Sequence, residues 1–335
     1  MDRFLIAALT AFLLTVVAAP PAIRLLSRLK AGQNILHYVD NHLSKQGTAT
    51  MGGVIFIITV TAAAFLTMRG SKELAVAAAG VTAAYGLIGF LDDFIKVKFR
   101  RNLGLRAYQK ILAQIAIAAA IGFFAYNNGY IGSEIYVPFV NIRFDLSWGI
   151  IPFVIVIFLA VTNSVNLTDG LDGLAGGVTL VYTAAIGIIV LIVASRLAAL
   201  GEGGGLLAEY GNLAVFCAAV SGALAGFLIF NSHPARIFMG DTGSLALGGA
   251  AASVAIFSGT ELIIPIIGIM YVLSSISVII QVLYFKRTRK RVFLMAPLHH
   301  HFELKGVHEA KISAVYMIIT AFMSAAAVLM YYLFF

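Results

Sequence analysis

The sequence predicts an all-α, polytopic membrane protein that forms one integral membrane domain over residues 1–335. Of its 335 residues, 61% are hydrophobic and only 11% are charged, whereas a soluble protein carries about 25% charged residues. Apolar runs long enough to cross a bilayer, about 17–25 residues each, recur along the whole chain. The single cysteine, Cys217, excludes an intrachain disulfide.

We count ten apolar runs and predict one transmembrane helix for each. The first run lacks a small-residue cleavage site followed by a soluble domain, so we interpret it as a retained span rather than a signal peptide. Runs eight and nine are separated only by the short turn 258–261. The predicted spans are 3–26, 52–69, 73–94, 108–126, 148–165, 173–195, 209–230, 243–259, 260–285 and 311–334.

Ten spans place both termini on one side of the membrane, and the distribution of Lys and Arg indicates which side. One alternating set of connections holds 18 of the 23 Lys and Arg and all seven His. Cytoplasmic segments are enriched in Lys and Arg, so this set is predicted to face the cytoplasm, with both termini outside. The active site is therefore expected in a cytoplasmic-face cleft. The connections of this set are 24–50, 92–110, 163–172, 231–242 and 285–311.

The longest outer connection is predicted to contain a short β-hairpin near residues 131–146. Its second half, 141–146, alternates polar and apolar side chains, which is the period of a strand. The apolar segment 135–139 precedes it and supplies the partner strand.

Span nine is too long to cross a membrane straight. Continued to Arg291 it would measure about 48 Å at 1.5 Å per residue, against a hydrocarbon core of about 30 Å. It must therefore tilt, bend or protrude, and serines in the segment 274–277 mark the expected bend. We expect an apolar groove beside this span, with the basic run 286–291 among anionic lipid headgroups.

Four polar residues recur at every third position between spans five and six: Asn163, Asn166, Asp169 and Asp172. At a helix end this spacing places them along one edge. Burying each Asp in a membrane would cost about 2.5–3.5 kcal/mol, so the carboxylates need a function or a watery cleft. The alternative is a Gly-rich polar turn, although such a turn needs the glycines and neither Asp.

Asp92 and Asp93 end span three at the predicted cytoplasmic side. Adjacent carboxylates repel unless a cation lies between them or one of them takes a proton. Oxygen ligands near phosphate favour Mg²⁺. The alternative is a local ion pair between Asp92 and Lys96, four residues later.

Asp241 stands just before an apolar span, with Gly240 and Gly243 permitting close backbone approach. A metal ligand and a helix N-cap are the two interpretations of this aspartate.

Three further stretches carry groups that bind anions. The segment 45–53 offers a Lys, two hydroxyls and glycine-exposed amides, and 96–110 adds six basic residues that serve anionic lipid, topology or both. His299, His300 and His301 can donate hydrogen bonds to phosphate near neutral pH. A zinc site would need converging ligands that the sequence does not supply, and a solvated His run is the alternative.

Five motifs together resemble the phospho-N-acetylmuramoyl-pentapeptide transferase family. They stand in the family's order and cover most of the chain, at 47–53, 91–96, 166–173, 239–245 and 297–303. The acidic motifs alone also fit the wider superfamily of polyprenyl-phosphate N-acetylhexosamine-1-phosphate transferases, including those that use GlcNAc-1-phosphate. The triple His and the 45–53 motif resemble the muramoyl-pentapeptide branch.

The resemblance implies a ten-helix, Mg²⁺-dependent enzyme of the bacterial inner membrane, with the whole chain as its catalytic domain. The implied reaction transfers phospho-MurNAc-pentapeptide from UDP-MurNAc-pentapeptide to undecaprenyl phosphate, giving lipid I and UMP in the first membrane step of peptidoglycan synthesis. The implied partners are these two substrates and membrane lipids, without nucleic acid, and a homodimer is left open. Both a direct transfer and a route through a phosphosugar on an aspartate are left open as well.

The resemblance also implies roles for particular residues. The catalytic aspartates are Asp92, Asp93 and Asp241, of which Asp241 is the expected metal ligand. Asn166 and Asp169 are expected to line the site, and the uracil is expected to meet Gly170, Leu171, Asp172, Asn231 and Phe238. Phosphate and sugar groups are expected to be held by Lys45, Thr50, Lys110, His299, His300 and His301.

One segment departs from the family pattern. The family usually shows an Arg-acidic-x-Gly-Pro run where residues 36–41 read Leu-His-Tyr-Val-Asp-Asn, and a Pro where Ala49 stands. The conformation of this region therefore does not follow from the resemblance.

The main rival of another class is a secondary transporter with a midplane ion site. In this chain, however, the acidic residues cluster at the predicted cytoplasmic ends of spans, and no repeat of two equal halves is evident.

Overall fold

The structure, a computed structural model, describes residues 2–28, 47–99, 103–138, 140, 142–201 and 203–334. These residues are mostly helical. The α-helices in this part of the chain are α1 (Asp2–Arg28), α2 (Gly53–Thr67), α3 (Glu73–Phe99), α4 (Ala107–Asn127), α5 (Ile150–Thr168), α6 (Leu174–Ala199), α7 (Gly204–Asn231), α8 (Gly240–Phe257), α9 (Ile264–Ile267), α10 (Ile269–Thr288), α11 (Leu298–Leu304) and α12 (Glu309–Phe334).

Every predicted span overlaps a helix, and the polytopic all-α class is confirmed. Among the described residues, eight helices are long and apolar enough to cross a membrane: α1, α3, α4, α5, α6, α7, α10 and α12. Helix α2 is apolar but has only 15 residues, and α8 is almost entirely buried among its neighbours. The number of ten spans therefore stays a prediction.

The ninth predicted span is broken rather than continuous. A 3₁₀ turn at Glu261–Ile263 leads into the short α9, and α10 starts after Gly268. The serines at 274–277 lie inside α10, which runs without interruption, and Ser277 Oγ donates to the Ser274 carbonyl at 2.6 Å. A bend of α10 at these serines stays a prediction. The helix then ends at Thr288, three residues short of Arg291.

The predicted hairpin is present. Strand β1 (Glu134–Val137) pairs antiparallel with β2 (Ile142–Asp145), with Glu134 opposite Asp145 and Val137 opposite Ile142. The side chains of Ile135 and Tyr136 in β1 are buried, whereas all four of β2 are exposed. The alternating pattern thus predicted the strand correctly but not a half-buried face.

The packing of α3 on α8 positions the acidic residues. These two helices are in close contact over much of their length, as are α7 and both α1 and α6. A Cβ on Gly89 of α3 would overlap the backbone of Asp241, so glycine is required for this approach. The C-terminal part of α3 is thereby held against the start of α8.

Candidate active site

Three carboxylates converge where α3 meets α8. One oxygen each of Asp92, Asp93 and Asp241 lies within 4.8 Å of the others. Asp92 and Asp93 are only 3% and 4% exposed. The structure therefore brings together the three aspartates that the sequence singled out, although they are separated by about half the chain.

The carboxylate of Asp241 is held by side chains from three other helices. Its Oδ2 accepts from Lys96 Nζ at 2.8 Å and from Lys110 Nζ at 3.0 Å. Its Oδ1 accepts from Asn166 Nδ2 at 2.7 Å, and that amide also donates to Ser244 Oγ at 2.8 Å. The N-cap position of α8 is Met239, and no side chain caps the helix from there. The alternative interpretation of Asp241 as an N-cap is therefore wrong.

Lys96 lies among all three carboxylates. It makes the expected ion pair with Asp92 at 2.6 Å, and it also reaches Asp241 at 2.8 Å and Asp93 at 3.9 Å. Lys110 adds a second ammonium at Asp241. Three negative and two positive charges leave this described cluster with one net negative charge, which favours binding of a further cation.

Asp93 caps the start of α8 from a different helix. Its Oδ1 accepts from the Asp241 N–H at 3.2 Å, and its Oδ2 accepts from the N–H and the hydroxyl of Thr242 at 2.9 and 2.7 Å. The N-terminal amides of a helix need such partners. Sequence reasoning missed this role. The available signal was Gly240, which has φ +71° and whose Cβ would overlap Asp93 Oδ2.

Asp92 is held by the connection between α3 and α4. Its Oδ1 accepts from the backbone N–H of Leu105 at 2.7 Å. A Cβ on Gly104 would lie 2.5 Å from the same oxygen, so the chain passes directly over the carboxylate. One oxygen of Asp92 is thus held by backbone and the other by Lys96.

The segment before α2 pairs with the segment before α8. Ala49 and Ile237 form a parallel bridge, and the Phe238 N–H donates to the Ala49 carbonyl at 2.8 Å. This pairing places buried Thr50 beside Gly240 and half-buried Phe238 at the same end of the bundle. Lys45 and most of the segment 33–49 lie outside the described residues.

Helix α5 ends at Thr168, and this end corrects one geometric prediction. Asn166 is on the helix and Asp169 is its C-cap, but Asp172 follows in the turn that leads to α6. The three-residue spacing therefore does not place Asp172 on the helix edge, because α5 has already ended at Thr168. Burial raises the pKa of Asp169 well above its usual range, and the carboxylates of Asp241, Asp93 and Asp172 add to this shift.

The turn that carries Asp172 is anchored by groups that sequence reasoning missed. Asp172 Oδ2 accepts from the Ala235 N–H at 2.9 Å and lies 3.3 Å from His233 Nδ1. The Asp172 N–H donates to Glu309 Oε1 at 2.5 Å, and Ser313 Oγ donates to the Asp172 carbonyl at 3.1 Å. Asp172 is 3% exposed.

The three consecutive histidines point to different partners. Buried His299 lies where a Cβ on Gly170 would be, which brings α11 against the 169–173 turn. His300 Nδ1 is 2.9 Å from Glu303 Oε2, and His301 Nδ1 accepts from the Leu294 N–H at 3.1 Å. The rings of His299 and His300 lie 4.4 Å apart, but His300 and His301 have separate partners, and the three rings do not form one metal site among the described residues.

His299 is neutral at physiological pH. Burial, with the neighbouring His300, lowers the pKa of His299 to about 3. Neither of its ring nitrogens has a hydrogen-bond partner within the described part of the chain.

Two other predicted residues line the same region. Leu171 is buried in the turn. Buried Asn231 ends α7, where its Nδ2 donates to the Ile237 carbonyl at 2.9 Å. The structure therefore gathers all the predicted site residues that it describes at one end of the helix bundle.

Comparison with known proteins shows the family to which the chain belongs. Residues 74–259 match the family described as Glycosyl transferase family 4. The chain is similar to the phospho-N-acetylmuramoyl-pentapeptide-transferase of Clostridium novyi (strain NT), with 44% identity over 321 residues that cover 96% of this chain and 94% of the relative. The protein of the same name from Desulfitobacterium hafniense (strain DSM 10664 / DCB-2) is 45% identical over 334 residues, 98% of each chain. A third, from Clostridioides difficile (strain 630), is 44% identical over 93% of each chain. The chain therefore belongs to the phospho-N-acetylmuramoyl-pentapeptide-transferase family.

Proposed function

We propose that this protein transfers phospho-MurNAc-pentapeptide from UDP-MurNAc-pentapeptide to undecaprenyl phosphate, producing lipid I and UMP. The observation that carries the proposal is the cluster of Asp92, Asp93 and Asp241 with Lys96 and Lys110, in a chain of this family. Carboxylates and ammonium groups at one helix junction suit phosphoryl transfer, in which positioning and charge neutralisation supply most of the catalysis.

The carboxylate cluster fits Mg²⁺, which we propose as the cofactor. All three acidic side chains offer oxygen atoms, the ligand type that Mg²⁺ prefers, and the described cluster keeps one net negative charge. Asp241 is the proposed ligand, because its oxygens are held by side chains that can move, whereas Asp93 is held by backbone N–H groups at the start of α8. When bound, the ion would supply Lewis-acid polarisation of the donor diphosphate.

The protein's own groups then have distinct tasks. In the transfer, an oxygen of the lipid phosphate attacks the β-phosphorus of the donor, and the bond from that phosphorus to the oxygen it shares with the α-phosphate breaks, releasing UMP. Lys96 and Lys110 neutralise charge that develops on the phosphate oxygens. Asp92 is placed to take a proton from the lipid phosphate, while Asp93 holds the backbone that carries Asp241.

The nucleotide is proposed to bind at the turn 169–173. Phe238 supplies an aromatic face for the uracil, and Asn231 and His299 are buried polar groups beside it. Asn166, Asp169, Gly170, Leu171 and Asp172 form the remaining wall. Thr50, His300 and His301, together with Lys45, are proposed to hold phosphate or sugar groups.

The lipid acceptor is proposed to enter beside α10. This helix exposes a run of large apolar side chains, including Leu273, Ile276, Ile280 and Val282. Ser275 Oγ contacts Ser164 Oγ at 2.6 Å, so α10 lies against α5 in the turn before Asn166. An undecaprenyl chain along this face would keep its tail in hydrocarbon while its phosphate approaches Asp92.

The membrane arrangement completes the proposal. We place ten spans in the bacterial inner membrane, with the acidic cluster facing the cytoplasm and the hairpin and both termini outside. The distribution of Lys and Arg supports this orientation. A cysteine introduced at exposed Ser147, beside the hairpin, should react with a membrane-impermeant maleimide added outside cells, since Cys217 is buried. Labelling only after membrane disruption would contradict the orientation.

The activity is tested with detergent-solubilised protein, undecaprenyl phosphate and two donors. We expect UMP release with UDP-MurNAc-pentapeptide and little with UDP-GlcNAc. The reverse preference would assign the chain to the GlcNAc-1-phosphate branch. An absence of UMP release with either donor, under conditions where a family member is active, would overturn the proposal.

A further inference from the structure

A second cluster of ionisable side chains lies outside the three-aspartate site. Atoms of Asp172, His233 and Glu309 lie within 4.8 Å of one another. His233 Nδ1 is 3.3 Å from Asp172 Oδ2 and 3.4 Å from Glu309 Oε2. The three residues come from three separate elements: the 169–173 turn, the connection between α7 and α8, and the first turn of α12.

The two carboxylates have different partners in this cluster. Glu309 accepts the backbone N–H of Asp172, and Asp172 accepts the backbone N–H of Ala235. The imidazole of His233 lies within 3.4 Å of both side chains. Both carboxylates are nearly buried, at 3% and 9% exposed, whereas His233 is exposed. Bringing two buried carboxylates together is costly without a donor or a positive charge between them.

The cluster joins the parts of the molecule that surround the proposed nucleotide site. The turn 169–173 contacts α11 through Gly170 and His299. Glu309 starts α12, directly after the connection that follows α11. The His233 connection leads to Phe238, the proposed stacking residue. A displacement of Asp172 would therefore move both the base-binding turn and its neighbours.

We propose that His233 and Glu309 are positioning residues for nucleotide binding. His233 bridges the carboxylates of Asp172 and Glu309 and thereby fixes the 169–173 turn against α12. This inference rests on the proposed function, since it assigns the turn to the uridine nucleotide. It adds two residues that lie outside the three-aspartate cluster.

The test measures UMP affinity by calorimetry in detergent, with Mg²⁺ held constant. His233→Leu removes the imidazole that lies within 3.4 Å of both carboxylates. We expect UMP to bind at least about tenfold more weakly, a loss of the size that one polar contact to a charged group produces. His233→Asn keeps a donor near the position of Nδ1 and should restore affinity to within about threefold of the wild type. Lys311→Ala, an exposed change on the same helix, is the control.

Steady-state kinetics separates positioning from catalysis. His233→Leu and Glu309→Gln should raise KM for the UDP-linked donor and leave kcat and KM for undecaprenyl phosphate near the wild-type values. Melting temperatures measured in parallel identify a variant that has lost its fold. If His233→Leu does not fold, UMP affinity and KM are measured in His233→Asn and Glu309→Gln instead.

Three outcomes would overturn the inference. One is wild-type UMP affinity in His233→Leu, and another is a fall in kcat alone. The third is a zinc ion that copurifies with the wild type and is lost in His233→Leu, which would make the cluster a metal site instead. If the wild type itself does not bind UMP, the proposed function fails rather than this inference.

Discussion

The carboxylate of Asp93 accepts a 2.9 Å hydrogen bond from the backbone N–H of Thr242, so α3 caps α8. Because Thr242 directly follows Asp241, this contact fixes the backbone that carries the proposed metal ligand. The adjacent Asp92 instead meets Leu105 and Lys96. Two neighbouring aspartates thus have different tasks, one holding a helix and one lining the proposed reaction site.

Asp93→Ala should lower both the stability and the transferase activity of the protein. Loss of a helix cap costs about 1–2 kcal/mol, and the buried Thr242 donors would lose their partner. We expect a lower melting temperature in detergent and little turnover, with Asp93→Asn falling between the wild type and the Ala variant. Thr242→Val, which removes only the hydroxyl contact, is the matched control. A native melting temperature for Asp93→Ala would contradict the capping role.

Asp241→Asn should abolish transfer while the fold is retained. The substitution keeps the shape of the side chain but removes the charge that faces Lys96, Lys110 and the proposed Mg²⁺. The check is turnover across a Mg²⁺ titration, with gel filtration in detergent to verify the fold. Near-native turnover at any Mg²⁺ concentration would rule out Asp241 as the essential ligand.

Asp172→Ala should weaken nucleotide binding more than metal binding. Asp172 lies in the base-binding turn, remote in its contacts from Lys96 and Asp241. The expected loss in UMP affinity is about 0.5–1.5 kcal/mol, and more where buried groups lose a partner. Calorimetry with UMP measures it, and Asp145→Ala in the hairpin serves as a carboxylate control. An unchanged UMP affinity would remove Asp172 from the nucleotide site.

Acidification should destabilise the protein partly through His299. Its folded-state pKa is lowered to about 3 by burial and by His300, so below pH about 6.5 the unfolded chain binds a proton that the folded chain does not. The stability that neutral His299 contributes is therefore fully present above pH about 6.5 and is lost progressively as the pH falls towards 3. Melting temperatures between pH 7 and pH 5 should drop less in His299→Gln than in the wild type or in the exposed control His308→Gln. An equal fall in melting temperature with pH in the wild type and both variants would contradict the burial of a neutral His299.

Val282→Trp should impair use of the lipid and spare the nucleotide. Val282 is 44% exposed on α10, the proposed wall of the acceptor groove. A bulky side chain there should raise KM for undecaprenyl phosphate and leave KM for the UDP-linked donor unchanged. Val17→Trp, on the exposed face of α1, is the control for a general membrane effect. A similar rise in both variants would argue against a specific groove beside α10.

The sequence predicts those parts of the fold that depend on the length of an apolar run. Apolar runs located the long helices and alternation located the hairpin, whereas the short helices α9 and α11 were not predicted. The break in span nine at Gly268 was not predicted, whereas the serines at 274–277 lie inside a continuous α10, where the Ser277 hydroxyl donates to the Ser274 carbonyl. Local composition alone does not distinguish a tolerated polar side chain from one that bends a helix.

The site was predictable where motif and chemistry coincide, and not where partners come from distant segments. Asp92, Asp93 and Asp241 do converge as expected. The cap from Asp93 to Thr242 and the bridge from His233 to Glu309 join residues 149 and 76 positions apart. The packing of α3 on α8, and of α12 against the connection between α7 and α8, creates these contacts.

The most direct test follows the two phosphates of the donor separately. UDP-MurNAc-pentapeptide labelled in either the α- or the β-phosphate is incubated with undecaprenyl phosphate, Mg²⁺ and the purified protein. If the protein transfers a phosphosugar, the β-label appears in the lipid product and the α-label in UMP, and both transfers are lost in Asp241→Asn. Recovery of the β-label in released UDP would show transfer of the sugar alone and would contradict the account.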